Sequence, residues 1–442
     1  MKKVISSSVA FILAFLTFFS FTNVSFANNN TPSISAEFAV LMDYETGKVL
    51  YDKNSDKKLY PASTTKIWTA YIVLKNVSNL NQVIKIENMP AVEGSSMYLK
   101  DGESFTIKEL LDSLLIHSSN DVAVVLANYI SGSIEKFAEL MNSEAKAIGT
   151  KNTHFTNPHG LPDENHYTTA YDMALMARES MSNKIFREIV KTPSIKYKAT
   201  EAYPYERYFL NTNKFLGSKE KINYRAKEID INYDIVDGIK TGFTDDAGKC
   251  LLSSAVKDNM RVISAVFKSS GNELYLDSRT IIDYGLENFT NSTVVDKSKL
   301  IDTIDVKFTK QGKLVYEPLH SYKVVLSKGN KKEEYKTKVN LDKINLPIKK
   351  GDKVGNLEVY KGNVVESTID LVATDNLDSS FSFITENKLI SNILKITLVA
   401  LVLLVIIFIY LVIAKKIRKK NKSHRKNKNI YRLDSKMKKR RR

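Results

Sequence analysis

The sequence predicts a mixed α/β domain, a smaller all-β domain after it, and one membrane-length helix near the C-terminus. Three observations carry this prediction. Strand-like stretches at 36–44 and 249–267 bracket a block of helical stretches, so one sheet should unite the two ends of that segment. From about Ser292 the texture changes to short strands separated by Gly, Asn and Lys turns. Residues 396–414 are nineteen consecutive residues without a charge, and as a helix they would reach roughly 28 Å, near the hydrocarbon thickness of a bilayer.

Taken in order, the chain opens on a secretory signal, expected over 1–27. Lys2 and Lys3 form its charged start, 9–21 its apolar core, and Ser25 and Ala27 flank Phe26 at the cleavage point. The first large domain is expected over 28–290. Residues 36–44 and 48–52 read as strands around a turn at Glu45-Thr46-Gly47. Pro61 stands just ahead of a helix over 63–74, and helices continue at 107–116, 121–130 and 134–147. A further helix spans 169–182, with Thr168 or Thr169 as its cap. Strands return after Val236, at 249–256 and 260–267, before a closing helix over 274–288. The all-β domain is expected over 291–376, with strands at 306–308, 313–315, 322–326, 334–338 and 353–360. It holds no cluster of His, Cys or acids suited to chemistry, which points to a positioning role. A polar linker over 377–395 leads to the apolar helix, and 415–442 form a basic tail.

The formal net charge of +17 would fit a nucleic-acid partner if it were spread over the folded part. It is not. The tail from Lys415 carries sixteen Lys/Arg against one acid, Asp434, and the middle of the chain is near neutral. Next to an apolar helix, such a tail is read as attraction to anionic lipid, and nucleic acid is not an expected partner. Positive residues stay on the cytoplasmic side. The chain is therefore expected in the cell membrane as a single-pass protein, with everything between signal and helix outside the cytoplasm. Cys250 is the sole cysteine, which excludes an intrachain disulfide. Its apolar run, Cys250-Leu251-Leu252, marks a buried strand residue.

Three short motifs carry the chemistry: Ser63-Thr64-Thr65-Lys66, Ser118-Ser119-Asn120 and Lys240-Thr241-Gly242. Each alone is common, and the ordered set is what discriminates. Ser63 begins a predicted helix, where unpaired N–H groups favour developing negative charge. Lys66, three residues on, shares its helix face and can reach the serine oxygen. A serine hydroxyl needs a base to become a nucleophile, and an ammonium cannot serve. Lys66 must therefore be neutral part of the time, through burial or a nearby cation such as Lys240. Ser118 can relay a proton to the leaving group. Asn120 can hold Lys66 and a substrate amide. Lys240 and Thr241, on an edge strand lining a cleft, could bind a substrate carboxylate. Gly242 lets a backbone approach closely.

With these motifs the chain resembles the D-alanyl-D-alanine carboxypeptidases among the low-molecular-mass penicillin-binding proteins. Gly94-Ser95-Ser96-Met97-Tyr98-Leu99-Lys100, Asn157-Pro158-His159-Gly160-Leu161, Asn211-Thr212-Asn213-Lys214 and Asp237-Gly238-Ile239 ahead of Lys240 extend the likeness. It is close over about 36–289 and looser over the β domain. The resemblance implies a β-lactamase-like, penicillin-recognising fold, with helices packed on an antiparallel sheet. It implies an acyl-enzyme on Ser63 and removal of the terminal D-alanine from peptidoglycan stem peptides. It implies inhibition by β-lactams, an oxyanion hole from the N–H groups of Ser63 and Phe243, and neither metal nor cofactor. Two positions depart from the family's habit. Ser119 stands where glycine is usual, with little effect expected, and Phe243 stands where histidine is frequent, which bears on pocket shape.

Other readings fit less well. A class A β-lactamase would carry a glutamate base between the second and third motifs, but Glu164 lies in the Asn-Pro-His-Gly-Leu context. A zinc carboxypeptidase would need ligand spacing that His154, His159 and His166 lack. A penicillin-binding sensor that keeps its acyl group shares the motifs and is separated only by release of D-alanine.

Overall fold

The computed structural model describes residues 31–328, 334–382 and 387–439, the helix beyond residue 422 as backbone only. The expected signal sequence lies outside the described residues. The chain divides into two units, one running to Thr293 with Lys323–Lys332 added, the other formed by Val294–Tyr322 and Glu333–Arg442.

A five-stranded antiparallel sheet organises the first unit, in the order Val49–Lys53, Phe38–Asp43, Met260–Ser269, Gly248–Lys257 and Val236–Thr244. The two ends of the segment thus meet in one sheet, as the strand positions in sequence require. Phe38–Asp43 is buried at every position because both faces of the sheet are covered. Side chains alternate across a strand. Phe38, Val40 and Met42 enter a core with Ile67, Trp68 and Leu115, while Ala39 and Leu41 enter a second core with Ile281 and Ile282. Cys250 is fully buried on the first face, and burial pushes its thiol up to about 12.

The helical block matches its expected positions, with physical refinements. Ile107–Asp112 begins in a capping box. The Thr106 hydroxyl accepts from the Glu109 N–H at 3.2 Å, and the Glu109 carboxylate accepts from the Thr106 N–H at 2.8 Å. A π-turn over Ser113–His117 follows, in place of continued α-helix. Asn120–Ser131, Ile134–Ala147 and Ala170–Ser180 follow, the last capped by the Thr169 hydroxyl. Glu273–Asn288 closes the unit. Helix Lys184–Val190, capped by Asn183, is unassigned from sequence, as are the hairpins Ser194–Tyr197/Arg207–Leu210 and Lys221–Tyr224/Lys227–Asp230.

The second unit holds a five-stranded antiparallel sheet in the order Asp302–Asp305, Lys313–Pro318, Val364–Ala373, Lys353–Lys361 and Tyr335–Leu341. Its central strand, Val364–Ala373, has no counterpart in the sequence expectations; the polar stretch Glu366-Ser367-Thr368 hides the alternation of Ile369, Leu371 and Ala373 into the core. The expected strand at 306–308 is instead the turn after Asp302–Asp305, with Phe308 at φ +63°. Tyr322–Ser327, expected among these strands, instead pairs with Phe289–Val295 as a separate two-stranded ribbon, most of which belongs to the first unit. Residues 377–382, expected as linker, are tied to the sheet. Leu377 is buried and bridges Ile348, and Lys310 donates its N–H to the Asp378 carbonyl at 2.9 Å. Lys388–Lys439 is one helix, and its stretch Lys388–Lys422 is long and apolar enough to cross a membrane, with none of that apolar window buried. It fits a membrane anchor.

Candidate active site

Ser63 lies not in the first α-helical turn but in a 3-10 turn, Ala62–Thr65, that leads into helix Lys66–Asn76. The serine is half-buried. Two glycines allow the turn to be approached this closely. A Cβ on Gly160 (φ +84°) would stand 1.9 Å from the Ala62 carbonyl oxygen. A Cβ on Gly242 would stand 3.1 Å from the backbone nitrogens of Ser63 and Thr64. The edge strand Val236–Thr244 therefore passes directly across the N–H end of the turn.

Lys66 is fully buried, with its Nζ 2.9 Å from Ser63 Oγ and donating to the His159 carbonyl at 2.8 Å. Burial pushes its pKa well below the ordinary lysine value. Lys240 adds to that effect, and Asp121 opposes it. Lys240 is also buried, and desolvation lowers its pKa to about 7. A base and its target serine are thus in contact, in surroundings that favour the neutral amine.

The second motif is placed by the π-turn. At its end Ser118 takes a left-handed conformation, φ +72°, with its N–H on the Ser113 carbonyl. Ser119, where the family favours glycine, is fully buried and its hydroxyl meets that of Ser113 at 2.7 Å. Asn120 does not hold Lys66, contrary to expectation. Its amide donates to the Glu93 carbonyl at 2.6 Å, and its Oδ1 is buried without a partner. The His159 carbonyl takes the holding role instead. Asp121 accepts from Ser96 Oγ and from the N–H groups of Met97 and Leu99 at 2.7–3.1 Å, fixing the segment 96–99 beside the motif.

In the third motif Lys240 Nζ donates to the Thr241 carbonyl at 3.0 Å, and Thr241 Oγ1 to Thr212 Oγ1 at 2.6 Å. Phe243 is 59% exposed beyond them. His166 Nδ1 accepts the Thr156 N–H at 3.2 Å, so Nε2 carries the proton toward Thr65 Oγ1 at 3.0 Å. Burial pushes His166 down to about 4 and His159 to about 3, so both rings are neutral supports. Among the described residues no group of three or more His, Cys, Asp or Glu could hold a metal ion. The His159 carbonyl, Thr212 and Asp121 carry no role that their residue types or spacing announce. For His159 and Thr212 the signal is their place in family-like segments, and for Asp121 it is its position directly after the second motif.

A family model described as D-alanyl-D-alanine carboxypeptidase matches residues 25–271. The chain belongs to this family. A second model, the penicillin-binding protein 5 C-terminal domain, matches residues 289–379 of this carboxypeptidase-family chain. D-alanyl-D-alanine carboxypeptidase DacF of Bacillus subtilis is 33% identical over 358 residues, covering 79% of the chain and 87% of that relative. DacC of Escherichia coli is 31% identical over 384 residues, covering 83% and 90%. Among solved structures, penicillin binding protein 5 from Haemophilus influenzae superposes with a TM-score of 0.62 at 27% identity, covering 79% of this chain and 99% of that one. The carboxypeptidase DacD from Francisella tularensis gives 0.56 at 30% identity, covering 79% and 95%.

Proposed function

We propose that this carboxypeptidase removes the terminal D-alanine from peptidoglycan stem peptides through an acyl-enzyme on Ser63. One observation carries the reading: the buried Lys66 amine lies 2.9 Å from the Ser63 oxygen. Ser63 Oγ attacks the carbonyl carbon between the two D-alanines while its proton passes to Lys66. The N–H groups of Ser63 and Phe243 receive the oxyanion. The C–N bond breaks, Ser118 relays the proton to the departing amine, and D-alanine leaves. Water then hydrolyses the ester and frees Ser63.

Lys240 and Thr241 bind the substrate carboxylate, and the buried, unpartnered Asn120 Oδ1 accepts a substrate amide N–H. The extended peptide lies along the edge strand that Gly242 brings against the Ser63 turn. β-Lactams acylate Ser63 as substrate mimics. The catalytic domain, 28–290, acts outside the cytoplasm. The β domain positions it, a single span over 396–414 anchors it, and the basic tail from Lys415 holds the cytoplasmic side.

The test uses the full-length chain and Ser63→Ala, each given a pentapeptide ending in D-Ala-D-Ala and, separately, a fluorescent penicillin. D-alanine release and labelling should both vanish in Ser63→Ala. Labelling of Ser63 without D-alanine release would replace this reading with a sensor that does not turn over.

A further inference from the structure

The second unit carries an exposed aromatic pair that the chemistry does not use. Phe308, in the turn between Asp302–Asp305 and Lys313–Pro318, is 69% exposed, and Phe381 is 51% exposed; their ring centroids lie 6.0 Å apart. Phe308 has φ +63°, a backbone conformation that is strained for a bulky residue and that persists only where surrounding contacts enforce it. Those contacts are present. Ser380 donates its N–H to the Phe308 carbonyl at 2.7 Å, Lys310 to that of Asp378 at 2.9 Å, and Thr309 bridges Ser379. Lys307 and Lys310 are exposed on the same turn. Lys350 joins this end of the sheet through its N–H on Asn376 Oδ1 at 2.9 Å. The acids here are Asp305, Asp352, Asp375 and Asp378.

Chain length puts this end near the anchor. Ser382 is followed six residues later by Lys388, where the helix begins, a reach of at most about 20 Å. The opposite end of the sheet is the hairpin at Val364. Strand Val364–Ala373 runs away from that hairpin toward the aromatic turn, and its ten residues separate the two ends by about 30 Å.

We propose that Phe308 and Phe381 enter the headgroup layer of an anionic lipid surface and dock the β unit against the membrane beside its own anchor helix. Aromatic rings favour that layer, and exposed lysines beside them meet lipid phosphates. The proposal rests on the reading of the C-terminal helix as a membrane span.

The experiment uses the chain's single tryptophan as an advantage. Trp68 is fully buried, so its emission is a constant background. Full-length Phe308→Trp, Phe381→Trp, Val364→Trp and Leu403→Trp are reconstituted in phosphatidylcholine/phosphatidylglycerol vesicles with and without brominated acyl chains. The emission added at 308, 381 and 403 should be mostly lost to bromine quenching, and that at 364 retained. Quenching at 403 with none at 308 and 381 overturns the docking while leaving the span intact. No quenching at 403 removes the span and the docking together. Equal quenching at 364 and 308 also overturns the proposal, because the contact would then have no preferred end.

Discussion

At the scale of single residues, the site depends on a lysine kept away from water. Lys66 has no solvent exposure, and its neutral form is the one that can take the Ser63 proton. Acylation by penicillin should therefore rise with pH as Lys66 loses its proton, and a stopped-flow series with a fluorescent penicillin would follow it. Lys66→Arg keeps a cation but cannot deprotonate, so acylation should fall by about 10²–10⁴-fold and not recover at high pH. His166 supplies a second prediction, about stability. Its folded value, about 4, is lower than the usual 6.5, chiefly because it is buried. Between those values the unfolded chain binds the extra proton, so stability should fall as pH drops from 6.5 and level off below about 4. The loss attributable to this ring is on the order of 3 kcal/mol. Urea unfolding of the protein and of His166→Gln across that range would reveal it as the slope missing from the variant.

At the scale of elements, what holds the second motif in place is a pair of buried carboxylates. Asp121 gathers the segment 96–99, and Glu103 binds Arg207 on the hairpin strand Arg207–Leu210 with two bonds of 2.8 and 3.0 Å. Arg207 also reaches the Tyr98 carbonyl and lies over the Tyr203 ring, 3.9 Å from its centroid. Both members of the ion pair are almost wholly excluded from solvent. Removing one leaves a buried charge alone. Arg207→Ala should accordingly lower unfolding stability by about 3–5 kcal/mol. The double variant Arg207→Met with Glu103→Gln should be less damaged than Arg207→Ala. Equal stability of Arg207→Ala and the parent in guanidinium would show that the pair holds nothing. The same element-scale logic explains the glycines: Gly160 and Gly242 admit two backbones against one turn, which fixes where Ser63 points.

At the scale of the whole molecule, chemistry and attachment are carried by different parts of the chain. Every residue assigned to the site lies in the first unit, and the apolar helix lies in the second. Ending the chain before Lys388 should move the protein from the membrane to the soluble fraction. D-alanine release from a soluble pentapeptide should keep its kcat/KM within about twofold, a difference of well under 1 kcal/mol. Cell fractionation and the release assay together check this. Loss of activity in a folded, soluble product would mean that the helix takes part in the site.

Much of this was legible in the residues themselves, and the limit has a physical origin. The contact between Ser63 and Lys66 is local: residues three positions apart on a helical turn share a face, so spacing alone predicts it. The same holds for the charge-free run at 396–414, and for strands whose apolar residues fill both faces of the sheet. Tertiary structure alone decided the rest. It laid Lys240 and Gly242 across the Ser63 turn, gave Lys66 the His159 carbonyl instead of Asn120, and put Ser118 in a left-handed bend after a π-turn. A backbone carbonyl has no side-chain signature, so no residue type at 159 announces its role. The pairing of Val364–Ala373 with Lys313–Pro318 and the tie of Leu377 to Ile348 also depend on partners distant in sequence. Local patterns determine which groups this chain can offer to a reaction. Non-local packing determines which of them meet, because only the folded backbone brings those groups within hydrogen-bond distance.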